Sequence, residues 1–443
     1  MVKPLIIQMM KTINFKIYIL GIVFLATLSS CEEQVFQQVV SDYVHDKNAP
    51  IILNRFAPME ASESAEITLF GDNFSSNASE VKVQINGTDV PVLGASQRRI
   101  IVKIPQGLGS GKWTVTVGDH TVESTDEFIY AVKRTVSTLA SSSPAATFNF
   151  LVNAGMDIDS KGNLYFTDNF NNCIRKVSPD GTVTTFAGVP GVEGNVDGPG
   201  AKALFNHPTD VAVDAEDNVY VADSWNWAIR KIDPQGTVST VRGWIVPFPQ
   251  GITVDPETGV IYGVSALPAV SNNQIFALEQ NGAMTLHTLS VPIASGGISM
   301  DNDRNLIIAD NHKSVIYRVN TSTKAVETLA GLENEHGWVD GIGQAARFEY
   351  PWGVAVDKDN NIYVAGCGHR FEGPTIASTA SNIRMIEAGT NKVSTIAGGP
   401  IGYKDGIAGE ARFNVPTGIA VDDQGAVYVL DRDNLKIRKI ISE

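Results

Sequence analysis

Positive charge is scarce in this 443-residue chain, and so are histidines and long apolar runs. There are 34 lysines and arginines against 48 acidic residues, giving a formal net charge of −14, and the basic residues form no stripe. Such a surface repels phosphates, which excludes nucleic acid as a partner. The histidines are scattered without the spacing of metal ligands, so we predict no metal and no cofactor. No apolar run is long enough for a comfortable transmembrane helix.

The first thirty residues have the organisation of an export signal. Lys11 and Lys16 precede the apolar run IYILGIVFLATL, which leads through two serines into Cys31. The segment resembles a bacterial lipoprotein signal peptide that ends in a lipobox. The resemblance implies removal of residues 1–30, lipidation of Cys31, a tether over residues 31–48 and an outer-membrane location facing the cell surface or the periplasm. The alternative is an ordinary anchor helix with an incidental cysteine.

Residues 49–132 alternate short apolar strands with turns, as in AEITLFGDNF, VKVQING and KWTVTV. This alternation is typical of a small β-sandwich. The turn and strand-end residues resemble those of the IPT/TIG immunoglobulin-like family over nearly its full length: Pro58, Gly71-Asp72-Asn73-Phe74, Ile85-Asn86-Gly87, Ile104-Pro105 and Phe128-Ile129-Tyr130. Modules of this kind are commonly spacers or partner-binding domains.

Residues 133–443 contain six copies of one pattern, whose first apolar runs begin at Met156, Val211, Ile252, Ile298, Val354 and Ile419. The second copy places the runs VAV, VYVA, AIRKI and TVSTV between turn signals, as a four-stranded antiparallel meander requires. One meander cannot bury both of its faces, so repetition around an axis is expected. The copies resemble NHL repeats, and six copies imply a six-bladed β-propeller. The chain is therefore predicted to be all-β.

The sixth copy ends at IRKIISE and lacks the fourth strand, whose sequence in other copies is TVTTFAG or KVSTIAG. A matching segment, RTVSTLA, stands upstream of the first copy. We predict that Val136 to Ala140, within a strand at about residues 135–140, pairs with Ile437 to Ile440 and closes the ring, which removes two exposed sheet edges. The alternative is a linker strand that is similar by chance. Cys173 and Cys367 fall in copies one and five, which are not neighbours on the ring, so free thiols are favoured over a disulfide.

Comparison of the copies separates positions that serve every blade from positions that do not. Aspartates recur after the first strands and after the second strands, which predicts turn-forming carboxylates rather than calcium ligands there. They are Asp214, Asp255, Asp301, Asp357 and Asp422, and then Asp168, Asp223, Asp310 and Asp431. Three connections between blades share the pattern of VDGPGAKALFNHP, and their phenylalanines are predicted to anchor each loop to the rim: Phe205, Phe348 and Phe413.

The residues that do not recur gather at one end of the predicted propeller. The loop between strands two and three and the loop to the next blade emerge on the same face, so the long loops collect there. Five of the six tryptophans fall at that end: Trp225, Trp227, Trp244, Trp338 and Trp352. Large amphipathic rings in this setting favour ligand stacking, with wedging between loops as the alternative.

Asp210 departs from the repeat, because the other five blades have glycine at its position. Asp210 and His207 together are expected to form a small polar site, with a structural or ligand-orienting role favoured over catalysis because no nucleophile joins them. Lactonases and amidating lyases, whose propellers are similar, hold a divalent metal in the axial pocket. The residues predicted to line the axial pocket of this chain include one histidine, and a metal needs three or more protein ligands.

The acidic pair Glu32-Glu33, directly after Cys31, resembles the surface-export signal of Bacteroidota lipoproteins. Together these observations favour a lipid-anchored, non-enzymatic binding protein of the Bacteroidota envelope, with a glycan first and an envelope protein second as the ligand of the loop-rich face. The candidate ligand-binding residues are His207, Asp210, Trp225, Trp227, Phe248, Gln250, Tyr350, Trp352, His369 and Arg370. No catalytic residue is predicted. Two alternatives stay open: a metal-dependent hydrolase or lyase acting in the axial pocket, and a structural envelope component that docks a partner through the IPT/TIG domain.

Overall fold

The structure is a computed structural model that describes residues 45–62, 64–105, 108–143, 147–149, 154–244, 248–265, 274–293, 296–366 and 380–442. The predicted signal peptide, Cys31 and most of the predicted tether lie outside the described residues. Within those ranges, no helix is long and apolar enough to cross a membrane. The chain divides into two compact units between Val132 and Lys133, and both are built from β-strands.

The first unit is a β-sandwich of two sheets. One sheet has the strand order Ile52–Ala57, Glu66–Asp72, Arg99–Lys103 and Val92–Ser96. The other has the order Glu60–Ala61, His120–Tyr130, Gly111–Val117, Val81–Ile85 and Thr88–Val90. Alternate residues of these strands point inward, and Trp113 lies at the centre with its ring 6.0 Å from that of Phe56 and 5.2 Å from that of Phe128. A 3-10 helix, Ala78–Glu80, precedes the fourth strand.

The second unit is a six-bladed propeller in which each blade is a four-stranded antiparallel meander. Blade 1 consists of Met156–Ile158, Leu164–Asp168, Cys173–Val177 and Val183–Ala187. Blade 2 consists of Pro208–Val213, Val219–Asp223, Ala228–Ile232 and Thr237–Gly243. Blade 3 consists of Pro249–Val254, Ile261–Ser265, Gln274–Leu278 and Met284–Thr288. Blade 4 consists of Ile298–Met300, Asn305–Asp310, Val315–Asn320 and Val326–Ala330. Blade 5 consists of Pro351–Val356, Ile362–Gly366, Ala380–Ile386 and Lys392–Pro400. Blade 6 consists of Pro416–Val421, Val427–Asp431, Lys436–Ser442 and, from the start of the unit, Arg134–Ser141.

Short elements of the connections complete the propeller unit. Two-residue strands from the connections add to the outer edges of blades 2, 5 and 6: Gly198–Pro199, Gly341–Ile342 and Gly406–Ile407. Three 3-10 helices lie in loops of the same unit: Ser224–Asn226, Gly343–Ala345 and Arg432–Asn434.

The strand Arg134–Ser141 closes the ring, as the sequence predicted. It is the fourth strand of blade 6, where Val136 pairs with Ile440 and Ala140 pairs with Ile437 in antiparallel register. Val136 and Ile440 are both buried in the core shared with blade 5. The first strand of the unit thus joins its last strand, so the inner blade interfaces are continuous around the ring.

The recurrent aspartates shape the turns between first and second strands. Asp214 Oδ1 accepts hydrogen bonds from the backbone N–H groups of Glu216 and Asn218 at 3.0 and 2.8 Å. Its Oδ2 accepts from the hydroxyl of Tyr220 at 3.0 Å. The same arrangement recurs at Asp159, Asp357 and Asp422. The carboxylates therefore serve as the turn-formers that the repetition indicated.

Three buried arginines lock the long connections to the rim. The guanidinium of Arg230 binds Asp223 at 2.8 Å and Asp197 at 2.6 Å, and it lies 5.1 Å from the ring centre of Phe205. Arg438 repeats this arrangement with Asp431, Asp405 and Phe413. Arg384 binds Asp340 and lies beneath Phe348, but it has no second aspartate because blade 5 has Gly366 at the position of Asp223. All three phenylalanine rings are buried, in agreement with their predicted anchoring role. The pairing of these arginines with the aspartates of the connections was not foreseen, although both recur at the same place in the three sequences: Asp197, Asp340 and Asp405.

Candidate functional site

Five aromatic side chains form one cluster on the loop-rich face, which we call the aromatic patch: His207, Trp225, Trp227, Trp244 and Phe248. The imidazole of His207 is stacked on Trp225 with ring centroids 4.1 Å apart and an interplanar angle of 15°. Phe248 meets Trp225 at 6.5 Å and Trp227 at 5.9 Å, and Trp227 meets Trp244 at 5.4 Å. The structure therefore brings together residues from two blades and the connection between them.

The two blade 2 tryptophans are held by the loop that carries them. Trp225 lies in the short 3-10 helix Ser224–Asn226, and Trp227 ends that helix in the left-handed conformation with φ of 51°. The Asn226 amide donates to Asp223 Oδ2 at 2.8 Å and to the carbonyl oxygen of Gly194 at 2.7 Å. The loop is thus tied to the buried carboxylate of the Arg230 lock, which fixes the direction of both indoles.

His207 is also placed by its backbone. Its φ of 49° is in the left-handed region, which bulky residues rarely adopt and which costs on the order of 1 kcal/mol or more. The amide of Asn206 lies 3.0 Å from the ring Nδ1 of His207, and the backbone N–H of His207 donates to Asn172 Oδ1 at 2.8 Å. Neighbouring-blade contacts therefore stabilise a conformation that carries the imidazole over Trp225.

The same left-handed position recurs at the entry of other inner strands. Phe248, Tyr350 and Val415 have φ values of 52°, 49° and 55°. The backbone N–H groups of Tyr350 and Val415 donate to the hydroxyls of Ser314 and Ser381 at 3.4 and 3.3 Å, as that of His207 does to Asn172. This conformation is a property of the repeat. The identity of the side chain at each copy is what differs.

Exposure separates the tryptophans into two groups. Trp244 and Trp225 are 80% and 56% exposed, whereas Trp352 is only 7% exposed and packs against Val415 and Tyr350. Trp225 and Trp244 offer ring surface to a ligand from solvent. Trp352 forms part of the wall of the axial cavity.

Two aromatic features of this face were missed from the sequence. The imidazole of His336 is stacked on Tyr350 at 4.6 Å with an angle of 25°, and its Nδ1 lies 2.7 Å from the buried hydroxyl of Ser314. Phe170 is 61% exposed in the blade 1 loop, at the position that Trp225 occupies in blade 2. Alignment of the loops after the second strands, rather than of the strands alone, would have indicated Phe170.

The axial cavity holds about 100 Å³ of space between the inner strands. Asp157, Asp210, Gln250 and Trp352 line it, together with small residues of the remaining blades. Asp210 accepts hydrogen bonds from the backbone N–H groups of Val211 and Ile252, both at 2.9 Å, and so joins blade 2 to blade 3. Asp157 joins blade 1 to blade 2 in the same way, through Ile158 at 2.8 Å and Val213 at 2.7 Å.

Burial dominates the acidity of both carboxyl groups in this cavity. It raises the pKa of Asp210 to about 8, against the lowering effect of the Ile252 and Val211 amides, and the charge of Asp157 raises it further. Burial also raises the pKa of Asp157 to about 6. Both side chains are part-buried at the cavity wall, where the surrounding strands exclude bulk solvent, so the charged forms are disfavoured.

Asp210 and His207 do not form the shared polar site expected from the sequence. The carboxylate faces backbone amides in the cavity, whereas the imidazole faces Asn206 and Trp225 on the surface. The glycine at the Asp210 position of blade 1 has a steric reason, since a Cβ on Gly155 would lie 1.6 Å from Asp210 Oδ1. Asp210 therefore acts as a junction between blades. His369 and Arg370 lie outside the described residues, as does Cys367, while Cys173 is a buried free thiol.

Comparison with known families agrees with this architecture. Residues 50–130 match the family described as IPT/TIG domain, and residues 205–232 and 413–440 match the family described as NHL repeat. The first unit is an IPT/TIG domain. The propeller carries NHL repeats.

Similar proteins share mainly the fold. Suppressor of quenching 1 of Arabidopsis thaliana is 29% identical over 293 residues, which are 57% of this chain and 26% of the plant protein, so the chain spans about a quarter of that relative. A solved structure of a Bacteroides thetaiotaomicron protein of unknown function has a TM-score of 0.58 and 22% identity, covering 90% of this chain and all of that one. An auxiliary nutrient binding protein from the same organism has a TM-score of 0.54 and 20% identity, covering 90% and 99%.

Proposed function

We propose that this protein is a non-catalytic binding protein of the cell envelope, anchored by a lipid on Cys31, that holds a glycan on the aromatic patch. The observation that carries the proposal is the pair of exposed indoles, Trp225 and Trp244, fixed around Phe248 and Trp227. The likeness in fold to an auxiliary nutrient binding protein supports a binding role.

The chemistry of the patch suits a sugar better than a purely apolar ligand. Sugar rings present C–H faces that stack on aromatic rings, and hydroxyls at their edges that need polar partners. The edge of the patch supplies such partners through the His207 imidazole and the Asn206 amide. An envelope protein that inserts its own side chains between Trp225 and Trp244 is the second candidate.

The proposed anchor would tether the chain to the membrane while a spacer lifts the propeller off it. Acylation of Cys31 would attach the chain by lipid, and residues 31–48 together with the IPT/TIG domain would act as a spacer before the propeller. The axial cavity does not favour the alternative of a metal-dependent enzyme. Within the described ranges, no three histidine, cysteine, aspartate or glutamate side chains lie close enough together to hold a metal ion.

A glycan array tests the proposal. The chain from residue 32 onward, labelled on its surface, is expected to retain at least one class of polysaccharide, and Trp225→Ala is expected to weaken that binding at least tenfold. Leu286→Ala is the matched control, because Leu286 is an exposed apolar residue on the outer strand of blade 3. Absence of binding to every glycan, or equal binding by wild type and Trp225→Ala, would contradict the proposal.

A further inference from the structure

Phe170 of blade 1 and Trp225 of blade 2 stand at the same position of two neighbouring blades. Each ring comes two residues after the buried aspartate that ends the second strand of its blade. The next residue in each loop is an asparagine whose amide donates back to this carboxylate, Asn171 at 3.0 Å and Asn226 at 2.8 Å. Both rings are more than half exposed. The two loops therefore present their rings to solvent in the same way.

The loop does not need an aromatic side chain at this position. Blade 6 builds the same loop around Asn434, which donates to the aspartate of its second strand at 2.8 Å, but it has Asp433 where the other two blades have the rings. The backbone N–H of Asp433 donates to the preceding connection at 3.0 Å, as that of Trp225 does at 3.1 Å. A ring whose surface stays mostly in water contributes little to folding. Phe170 and Trp225 are therefore not required by the blade and are available to a ligand.

The connection between blades 1 and 2 ties the two loops together. The backbone N–H of Gly191 donates to the carbonyl oxygen of Asn171 at 2.7 Å, and the amide of Asn226 donates to the carbonyl oxygen of Gly194 at 2.7 Å. Because Gly191 and Gly194 are three residues apart, at most about 11 Å separates their Cα atoms, and the rings beside them are on the order of 15 Å apart. This separation exceeds the length of a disaccharide, so one glycan reaches both rings only if it contains several sugars.

A second contact joins the blade 1 loop to the aromatic patch. Asn172 Oδ1 accepts the backbone N–H of His207 at 2.8 Å, and the imidazole of His207 is stacked on Trp225. Exposed rings thus follow one another from Phe170 through Trp225 to Trp244, which lies in the connection to blade 3. The surface that a ligand could use therefore begins one blade before the aromatic patch.

The connection between the two rings also indicates the charge of the ligand. Residues 191–194 are exposed or half-buried and carry a single charged side chain, that of Glu193. The chain as a whole has a formal net charge of −14. Carboxylated or sulfated sugars would be repelled from such a surface. The hydroxyls of an uncharged sugar would instead donate hydrogen bonds to the carboxylate.

We propose that the ligand is an uncharged polysaccharide bound along its chain, with one sugar on Phe170 of blade 1 and others on Trp225 and Trp244. This inference rests on the proposed glycan binding by the aromatic patch and extends that site by one blade. Because the rings lie on exposed loops rather than in a closed pocket, both ends of the polysaccharide can continue beyond the site. The site is therefore expected to recognise the interior of a polysaccharide rather than its end.

Titration calorimetry with oligosaccharide ladders tests the inference. The probes are malto-, cello-, xylo- and manno-oligosaccharides of two, four and six sugars, and a galacturonic acid hexamer is the charged control. The chain from residue 32 onward is expected to bind the hexasaccharide of at least one uncharged ladder roughly tenfold more tightly than the disaccharide of that ladder, because the longer chain stacks on more rings. The charged hexamer is expected to bind more weakly.

Variants of blade 1 assign this gain in affinity to Phe170. Phe170→Ala is expected to weaken binding of the hexasaccharide roughly three- to tenfold and to leave binding of the disaccharide unchanged, since only the longer chain reaches this ring. Phe170→Trp should restore the gain. His312→Ala is the matched control and should bind like wild type, because it removes an exposed ring that follows the second strand of blade 4.

The outcomes separate this inference from the proposed function. Hexasaccharide binding that is weakened by Trp225→Ala but equal in wild type and Phe170→Ala would overturn the extension to blade 1 and leave the aromatic patch as the glycan site. Tighter binding of the galacturonic acid hexamer than of every uncharged probe would overturn the assignment of an uncharged ligand. Absence of binding to all four ladders would overturn the inference, while the glycan array decides the role of the patch separately.

Discussion

The imidazole of His207 lies nearly parallel to the indole of Trp225, with ring centroids 4.1 Å apart. His207 leads into the inner strand of blade 2, and Trp225 follows the second strand of the same blade. The imidazole covers one face of the indole, so the exposed surface of Trp225 is its opposite face and its edge. Because the Trp225 ring is already held in place, a ligand that stacks on it binds with a smaller loss of side-chain conformational entropy.

His207→Ala is expected to weaken glycan binding roughly three- to tenfold, because an aromatic pair contributes about 0.5–1.5 kcal/mol and its loss frees the Trp225 ring. Titration calorimetry with the best glycan from the array measures the change. His312→Ala is the control, since this exposed histidine follows the second strand of blade 4 and is not part of the aromatic patch. An unchanged Kd for His207→Ala would show that stacking on His207 does not hold the Trp225 ring in its binding orientation.

Deletion of residues 134–140 is expected to lower the Tm of the propeller sharply. The deletion removes the Val136 to Ile440 pairing and opens a sheet edge in blade 6. Differential scanning calorimetry resolves this transition, and Val136→Pro should reproduce part of the loss by removing a backbone N–H from the strand. Deletion of residues 45–48, at the start of the first unit, serves as the control. A Tm unaffected by the loss of residues 134–140 would contradict ring closure.

Arg230→Met is expected to cost about 3–5 kcal/mol of the free energy of unfolding, since it leaves the buried carboxylate of Asp223 without its cation. The double variant Arg230→Met with Asp223→Asn should recover part of that loss. Lys404→Met, which breaks an exposed pair with Glu410, should change stability by less than about 1 kcal/mol. Urea unfolding measures all three. Equal losses for Arg230→Met and Lys404→Met would show that the rim lock contributes little.

Stability is expected to fall as pH rises from about 5 to 8. The native state holds a proton on Asp210, with a pKa of about 8, that the unfolded chain has already released, so the native state binds more protons in this interval. One such group lowers the free energy of unfolding by at most about 1.4 kcal/mol per pH unit. Asp157, with a pKa raised to about 6, adds to the slope in the lower part of this interval. Asp210→Asn should flatten the slope between pH 6 and 8 in urea unfolding, and an unchanged slope would place the titration elsewhere.

Cys31→Ser is expected to move the full-length chain from the membrane fraction to the soluble fraction of a bacterial host, because the acyl chains are the proposed anchor. Metabolic labelling with a fatty acid should mark wild type only. Cys173→Ser is the matched control, since the Cys173 thiol is buried in blade 1. This variant should stay in the membrane fraction. Labelling of Cys31→Ser would contradict the proposed lipidation.

The fold was largely predictable because its information is repeated. Each blade needs the same buried strands and the same turn carboxylates, so six copies reveal the scaffold without any related sequence. The closing strand was visible for the same reason: RTVSTLA matches the fourth strand that the sixth copy lacks. The IPT/TIG unit was predicted from its turn residues, whose positions are set by backbone geometry.

The candidate site was predicted only as a set of residues, and its arrangement was not. The pairing of His207 with Asp210 was wrong because a short sequence separation does not show which way each side chain points. Asp210 turns toward the amide of Ile252 in the next blade, while the left-handed backbone of His207 sends its ring outward to Trp225. Trp352 is of a residue type that often stacks on ligands, but it is buried against Val415. The local sequence pattern does not show this packing between blades.

The most direct test of ligand binding on the aromatic patch is a titration followed by the indole N–H signals of the six tryptophans, assigned by single Trp→Phe variants. The signals of Trp225 and Trp244 are expected to shift with glycan concentration, with that of Trp227 following. The signal of Trp113, in the core of the first unit, should stay fixed. Binding that leaves Trp225 and Trp244 unshifted would contradict the central claim.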